Sequence, residues 1–451
     1  MPTSNPFDQL CKFTKAYMKQ AHVPGAVIGV LHRGRESVAA FGVTSIEQNI
    51  PVTEDTLFQI GSNTKPMVAT AAMRLVEQGK LNLDIPIRTY LPSFRMKDKS
   101  AAANVTMRQL LTHVAGWQGD YFNNFGAGDD ALDRMVKDMR RLKQEAPLGK
   151  VYSYNNAGFY VAGRVLEVVT GKPFENVIRE LVFEPLGMTR SFFFPDDELF
   201  VQRLAAGHDR IKGRNKVSRP WGLSRADAPA GGVLSRAHDM LTFARFHMGN
   251  GKANGKRVLK AASLRHMQTP RLHATGLDWL GLSWFMRNTA KGSKVVLHGG
   301  ATAGQNSGFW FIPEKKFALI VLTNSSETVT SNIFNAALKY YFGDSIPLPK
   351  PIKTPKAELR EYTGVYENIE EVYKVTLKRE GLVLSITPKG GFPTPDAPPL
   401  PAPPPMRFAF YEKDKYIVLD TALKGRLGEF LRDERGRLQY MRLSRIHTKH
   451  E

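Results

Sequence analysis

Gly61-Ser62-Asn63-Thr64-Lys65-Pro66-Met67-Val68-Ala69-Thr70-Ala71-Ala72-Met73-Arg74-Leu75-Val76-Glu77-Gln78-Gly79 is the stretch on which the reading of this chain turns. It is a mostly apolar run that predicts a helix. Ser62 stands at its start, Pro66 falls in the first turn, where a missing N–H costs little, and Gly79 is the stop. Residues three apart on a helix share a face, so the Ser62 hydroxyl and the Lys65 ammonium can meet. A serine nucleophile needs a base, and a lysine serves only if its pKa falls. The positive end of the helix dipole disfavours the ammonium, and burial adds to that. Ser-x-x-Lys also arises by chance, so its weight depends on what accompanies it.

Two other stretches accompany it. Tyr154-Asn155-Asn156 lies within an aromatic run, Tyr152 to Tyr160, just before a helical segment. A phenol beside two positive charges could exist as phenolate and share the base role, while Asn156 could hold Lys65 or a substrate carbonyl. Read alone, the same residues are a core tyrosine and a helix cap. His298-Gly299-Gly300 ends a strand. Glycines let a substrate approach the backbone closely, and the N–H of Ala301 could join that of Ser62 as an oxyanion hole. Their bland reading is a β-bulge beside a hydrogen-bonded core histidine.

Together and in this order, Ser62-x-x-Lys65, Tyr154-x-Asn156 and His298-Gly299-Gly300 resemble the three motifs of the serine β-lactamase and penicillin-binding protein family, its class C-like branch in particular. Leu110-Leu111-Thr112-His113, Phe183-Glu184-Pro185-Leu186-Gly187-Met188, Ala230-Gly231-Gly232-Val233-Leu234-Ser235 and Leu322-Thr323-Asn324 are similar to that family too. The resemblance covers roughly residues 10–345. It implies an α/β lobe packed on a helical lobe, acylation of Ser62, and Lys65 with Tyr154 as the proton-transfer pair. It implies substrate contacts from Asn156, His298, Gly299 and Gly300, and an oxyanion hole from Ser62 and Ala301. The third motif departs from the Lys-Thr-Gly of true β-lactamases, because His298 replaces the lysine and Gly299 the threonine that hold the β-lactam carboxylate. His-x-Gly is the form of esterases, D-amino-acid peptidases and LACTB-like proteins.

Outward from these motifs, Phe7 to Gln20 predicts a helix, and Ala26–Leu31 with Ser37–Phe41 a hairpin. Lys294–His298, Gly308–Ile312 and Phe317–Leu322 predict three strands, and Ser331–Phe342 a closing helix. Strands from both ends of this segment are expected to share one sheet, with the central helices in their own lobe. Pro347 to Pro355 is a stiff linker. Beyond it, six or more short strands separated by even turns predict a small barrel or sandwich. It resembles the lipocalin-like domain of archaeal self-compartmentalising peptidases. The expected fold is α/β (α+β), β-lactamase/transpeptidase-like, with an antiparallel sheet flanked by helices and a helical lobe, then an all-β lipocalin-like barrel. The expected domains are 1–346, a linker 347–356, and 357–451. The last is expected to control access or assembly and to carry no catalytic group, so that a chain cut near Thr354 keeps its acylation chemistry. Phe392 to Pro405 reads as a rigid proline-rich loop that bridges protomers or lids a site.

The 451 residues are 42% hydrophobic and 23% charged, which excludes a disordered chain, a collagen and a coiled-coil rod. One cysteine, Cys11, excludes an intramolecular disulfide and a multi-cysteine zinc site. The net charge of +21 is spread along the chain without an aromatic-rich basic motif, so no nucleic-acid partner is expected. No signal peptide and no 18-residue apolar run is seen, so a cytoplasmic protein without a membrane partner is expected. Gly-x-Ser-x-Gly, His-Glu-x-x-His and Gly-x-x-x-x-Gly-Lys are absent. The expectation is a serine hydrolase without metal or cofactor, forming a homo-oligomer. It would act on short peptides, with tolerance of D-residues, or alternatively on carboxylic esters, with weak β-lactamase activity. A binding or scaffold protein on the same fold is the non-enzymatic alternative.

Overall fold

The structure is a computed structural model that describes residues 5–220, 222–391, 399 and 402–450. Its centre is an eight-stranded antiparallel sheet. The strands are β1 (Gly25–His32), β2 (Arg35–Gly42), β3 (Leu272–His273), β4 (Trp279–Leu280), β5 (Phe285–Asn288), β6 (Lys294–Thr302), β7 (Gln305–Ile312) and β8 (Phe317–Thr323). They lie side by side as β2-β1-β8-β7-β6-β5-β4-β3. Strands from the two ends of the segment therefore meet, as the sequence implies: Val30 pairs with Leu319 and Ile28 with Val321.

Both faces of this sheet are covered, which is why β8 reads as an unbroken apolar run and not as an alternation. Phe317, Leu319 and Val321 pack beneath α1 (Pro6–Gln20) and the closing helix Thr330–Phe342, with Leu10, Met18, Ile333 and Phe334. Ala318, Ile320 and Leu322 face the opposite way. They join one large core with α2 (Thr64–Glu77), α3 (Ala157–Thr170) and α4 (Ala237–Met248). The central helices form the second lobe around that core.

The C-terminal segment is a closed antiparallel barrel. Its strands are β9 (Gly364–Glu367), β10 (Glu371–Lys378), β11 (Gly381–Pro388), β12 (Met406–Glu412), β13 (Lys415–Val418), β14 (Leu427–Arg432), β15 (Leu438–Arg442) and β16 (Ile446–Lys449). Six correspond to the six strands read from the sequence. The two unread ones, β9 and β16, pair with each other at Tyr366–Lys449 and shut the barrel. Phe408, Phe410, Tyr416, Phe430 and Tyr366 fill its interior, as side chains do in a small barrel. Phe392 to Pro405 falls largely outside the described residues, so its reading as a lid or bridge stands apart from the structure.

Candidate active site

Ser62 sits in a single 3₁₀ turn, Gly61–Asn63, which runs into α2 at Thr64. It therefore stands at the start of the helix, as the sequence suggests, one residue before the Asn63 cap position. The turn is closed by other groups. Thr64 Oγ1 donates to the Gly61 carbonyl at 2.8 Å, and Asn63 Nδ2 to Ser307 Oγ at 2.7 Å. Ser307 Oγ in turn donates to the Ile60 carbonyl at 2.7 Å. This leaves the Ser62 hydroxyl free for chemistry on a fixed support, and Ser62 is partly exposed while its neighbours Gly61, Asn63, Thr64 and Lys65 are buried.

Two glycines let this turn press against β6. A Cβ on Gly300 would lie 1.9 Å from the Ile60 carbonyl oxygen, and one on Gly61, whose φ is +53°, would lie 2.8 Å from the Ala301 nitrogen. Any side chain at Gly300 would force the backbones apart. The close approach brings the Ala301 backbone to the Ser62 turn, where the oxyanion hole was expected.

Lys65 is buried among apolar groups, and this desolvation holds its amine well below the usual lysine range. Its Nζ lies 3.0 Å from Ser62 Oγ, 2.7 Å from Asn156 Oδ1 and 2.6 Å from the Ala230 carbonyl oxygen. A neutral amine has two hydrogens and one lone pair. In that form the two carbonyl oxygens, which can only accept, take the hydrogens and the lone pair is left for the Ser62 hydroxyl proton; in the ammonium form the third hydrogen goes to Ser62 Oγ. The geometry suits a base.

Tyr154 lines the other side of Ser62 and hydrogen-bonds with it. Its ring lies 5.0 Å from Lys65 Nζ and stacks on His113 at 4.4 Å. Burial pushes the phenol up, outweighing the Ser62 bond and the nearby Arg445. The resting group is thus a phenol, a correction to the phenolate suggested by its position beside positive charges.

His298 is buried against Phe285, with its Nδ1–H donating to the Gly299 carbonyl at 2.6 Å. Burial, with Lys65 nearby, pushes it down to about 3. It is neutral and cannot stand in for the lysine cation of a β-lactamase. His247 is likewise pushed down to about 3, and burial lowers His113 well below its ordinary value. In the unfolded chain these imidazoles would titrate near ~6.5. Below that pH the unfolded state binds more protons, so acid costs stability, by up to about 1.4 kcal/mol per histidine per pH unit down to the folded values. Melting followed from pH 7 to pH 4 should show a falling Tm. A flat Tm would contradict buried neutral imidazoles.

Two residues of the site have no counterpart in the sequence reading. Asp120, 2% exposed, accepts from Asn156 Nδ2 at 2.6 Å. It also pairs through both carboxylate oxygens with the guanidinium of Arg445, whose Nη2 donates to Oδ1 at 2.9 Å. Arg445 belongs to the turn between β15 and β16 of the barrel and lies 5.1 Å from the Tyr154 ring centroid. The turn is moored around it. The Tyr154 N–H donates to the Ser444 carbonyl at 3.1 Å, the Ile446 N–H to Ser153 Oγ at 3.2 Å, and Arg442 Nη1 to the Tyr152 carbonyl at 2.7 Å. The barrel therefore places a charged group beside the site, a contact that the sequence reading did not foresee. No local pattern marks it, since Arg445 and Asp120 are 325 positions apart.

Among the described residues, no group of three or more His, Cys, Asp and Glu is placed to hold a metal ion. No described helix is long and apolar enough to cross a membrane.

A partly exposed serine, a buried lysine one turn on and a tyrosine beside the same hydroxyl form an arrangement chemically able to carry acyl transfer. The Beta-lactamase family model matches residues 11–340, and the chain belongs to that family, whose members are generally serine hydrolases. It is 34% identical to penicillin-binding protein 4 of Amycolatopsis lactamdurans over 78% of this chain and 95% of that protein. Among solved structures it resembles SurE, crystallised with D-Leu, at 24% identity and a TM-score of 0.75, covering 99% of both chains. It also resembles the octameric penicillin-binding protein homologue from Pyrococcus abyssi, at 24% identity and a TM-score of 0.66, over 95% of this chain and 96% of that one. The likeness to these two structures is one of fold.

Proposed function

We propose that the chain is a peptidase acting on short peptides through an acyl-enzyme on Ser62, with tolerance of D-residues. The observation that carries this reading is the placement of Ser62 Oγ between Lys65 Nζ, at 3.0 Å, and the Tyr154 hydroxyl. In the proposed mechanism Lys65 takes the Ser62 proton as Oγ attacks the substrate carbonyl. Tyr154, a phenol at rest, hands its proton to the leaving amine and takes one back from the Lys65 ammonium, so both groups are reset before a water attacks the acyl-enzyme and frees Ser62. The N–H groups of Ser62 and Ala301 receive the developing oxyanion. Asn156, Gly299 and Gly300 border the bound substrate, and His298 packs behind them.

The preference for short peptides over esters rests on the C-terminal barrel, whose turn docks on Tyr152–Tyr154 beside Ser62. The fold shared with SurE, crystallised with D-Leu, supports tolerance of D-residues. The octameric relative supports a homo-oligomer, and the setting we propose for it is the cytoplasm. Carboxylic ester hydrolysis is the alternative, because the same three groups perform it without change.

A panel of p-nitrophenyl esters, L- and D-amino-acid p-nitroanilides, short D-terminated peptides and nitrocefin, assayed on one preparation, tests the proposal. Peptide cleavage is expected to lead, and the cephalosporin to be the poorest substrate by kcat/KM. The neutral His298 and the missing hydroxyl at Gly299 leave the β-lactam carboxylate without its partners. A cephalosporin kcat/KM above that of every ester and peptide would overturn the ranking. Esters turned over while all peptides are refused would select the esterase.

A further inference from the structure

We infer that Arg445 and Asp120 are positioning residues for the acyl transfer: through them the C-terminal barrel fixes the amide of Asn156 and so aims the lone pair of Lys65 at Ser62. This role presupposes the Ser62 acyl-enzyme proposed above and assigns the barrel a part in it.

The orientation of one amide is at stake. The two ends of an asparagine side chain have nearly the same shape and opposite hydrogen-bonding character. With Oδ1 toward Lys65, as found, Nζ gives one hydrogen to Asn156 and another to Ala230, so the amine in its neutral form keeps its lone pair for Ser62, 3.0 Å away. With the amide turned over, Nδ2 would donate into that lone pair and Lys65 could no longer take the serine proton. Asp120 decides between the two. A carboxylate only accepts, so it draws Nδ2 to itself, at 2.6 Å, and leaves Oδ1 to Lys65.

Asp120 needs a counter-charge of its own. A carboxylate this enclosed is costly unless paired and hydrogen-bonded. The catalytic domain leaves that task to Arg445, from a turn held by three bonds to Tyr152, Ser153 and Tyr154. The other acids near Asp120 are Glu145 and Glu370, the latter again from the barrel. Burial beside Asp120 pushes Glu145 up to about 7 and raises Glu370. Neither competes well for the guanidinium. Lys65 is faced by Asp120, Arg445, Tyr154, His113 and His298. Of these, only Asp120 and Arg445 act on it through the Asn156 amide.

The test measures the rate at which a small uncharged alkyl fluorophosphonate labels the full-length chain, with Tm recorded for each variant. Arg445→Gln is made in the wild type and in an Asn156→Ala background, together with the paired exchange Asp120→Asn/Arg445→Gln. A misplaced base predicts a fall of about 10²-fold in the maximal labelling rate for Arg445→Gln, with half-saturation little changed. In the Asn156→Ala background the same exchange should add nothing, since the amide it acts through is gone. A barrel that serves stability alone would lower Tm equally in both backgrounds and leave the labelling rate of folded protein untouched. The paired exchange removes both buried charges, so it keeps the test open if Arg445→Gln folds poorly, and it should label as slowly as the single variant. Labelling of folded Arg445→Gln or of the paired variant within about twofold of wild type would overturn the inference, as would an equal further loss in the Asn156→Ala background. Wild-type protein unlabelled at Ser62 would instead bring down the hydrolase reading, and this role with it.

Discussion

Replacing Ser62 with alanine is expected to abolish turnover of every substrate while leaving the fold intact. The Ser62 side chain closes no cap and fills no core. The turn that carries it is held by Thr64, Asn63 and Ser307. Losing the hydroxyl therefore removes a nucleophile and little packing. A residual rate of ~10³–10⁴-fold over water is expected from the oxyanion donors and substrate binding alone, by analogy with other serine hydrolases. Far-ultraviolet dichroism and Tm should match the wild type, so that the loss is assigned to chemistry. A kcat near wild type in this variant would sink the assignment.

Lys65→Ala and Tyr154→Phe should each cost large factors in kcat, and the double variant should cost far less than their product. Both groups bond to the same Ser62 oxygen, one taking its proton and the other returning it. Groups that move one proton as a unit are strongly non-additive. Lys65→Ala also removes the donor to Asn156 and Ala230 and leaves those two buried acceptors unpaired, so its Tm should fall as well. Tyr154→Phe keeps the stacking on His113 and should melt close to wild type. Losses in kcat that multiply cleanly would show that the two groups act in separate steps and that the shared proton path is wrong.

The features that made the site readable are local. The Ser62–Lys65 spacing is one helical turn. Gly300 is needed because the Ile60 carbonyl sits where a side chain would begin. The strands β1, β7 and β8 are buried on both faces, and apolar runs announce them. What stayed hidden depends on contacts between distant segments. Strands β9 and β16 are four residues each, and Ile446-His447-Thr448-Lys449 looks like a polar tail until it pairs with Gly364–Glu367. Asp120 ends the loop segment Gly116-Trp117-Gln118-Gly119-Asp120, where an acid is commonly solvated, and Arg445 follows a serine in a turn. Each gains its meaning from the other, across the join of two domains. The expectation that a chain cut near Thr354 keeps its acylation chemistry was made without this contact, and the positioning role inferred for Arg445 predicts that such a cut slows acylation instead.

The central claim is that the acyl group passes through Ser62. The most direct measurement is the mass of the protein quenched during turnover of a slow p-nitrophenyl ester, followed by peptide mapping. The account predicts an acyl adduct on the peptide that holds Ser62, formed and lost at the rate of turnover and absent from Ser62→Ala. Turnover with the adduct on another side chain, or with equal adduct in Ser62→Ala, would contradict it.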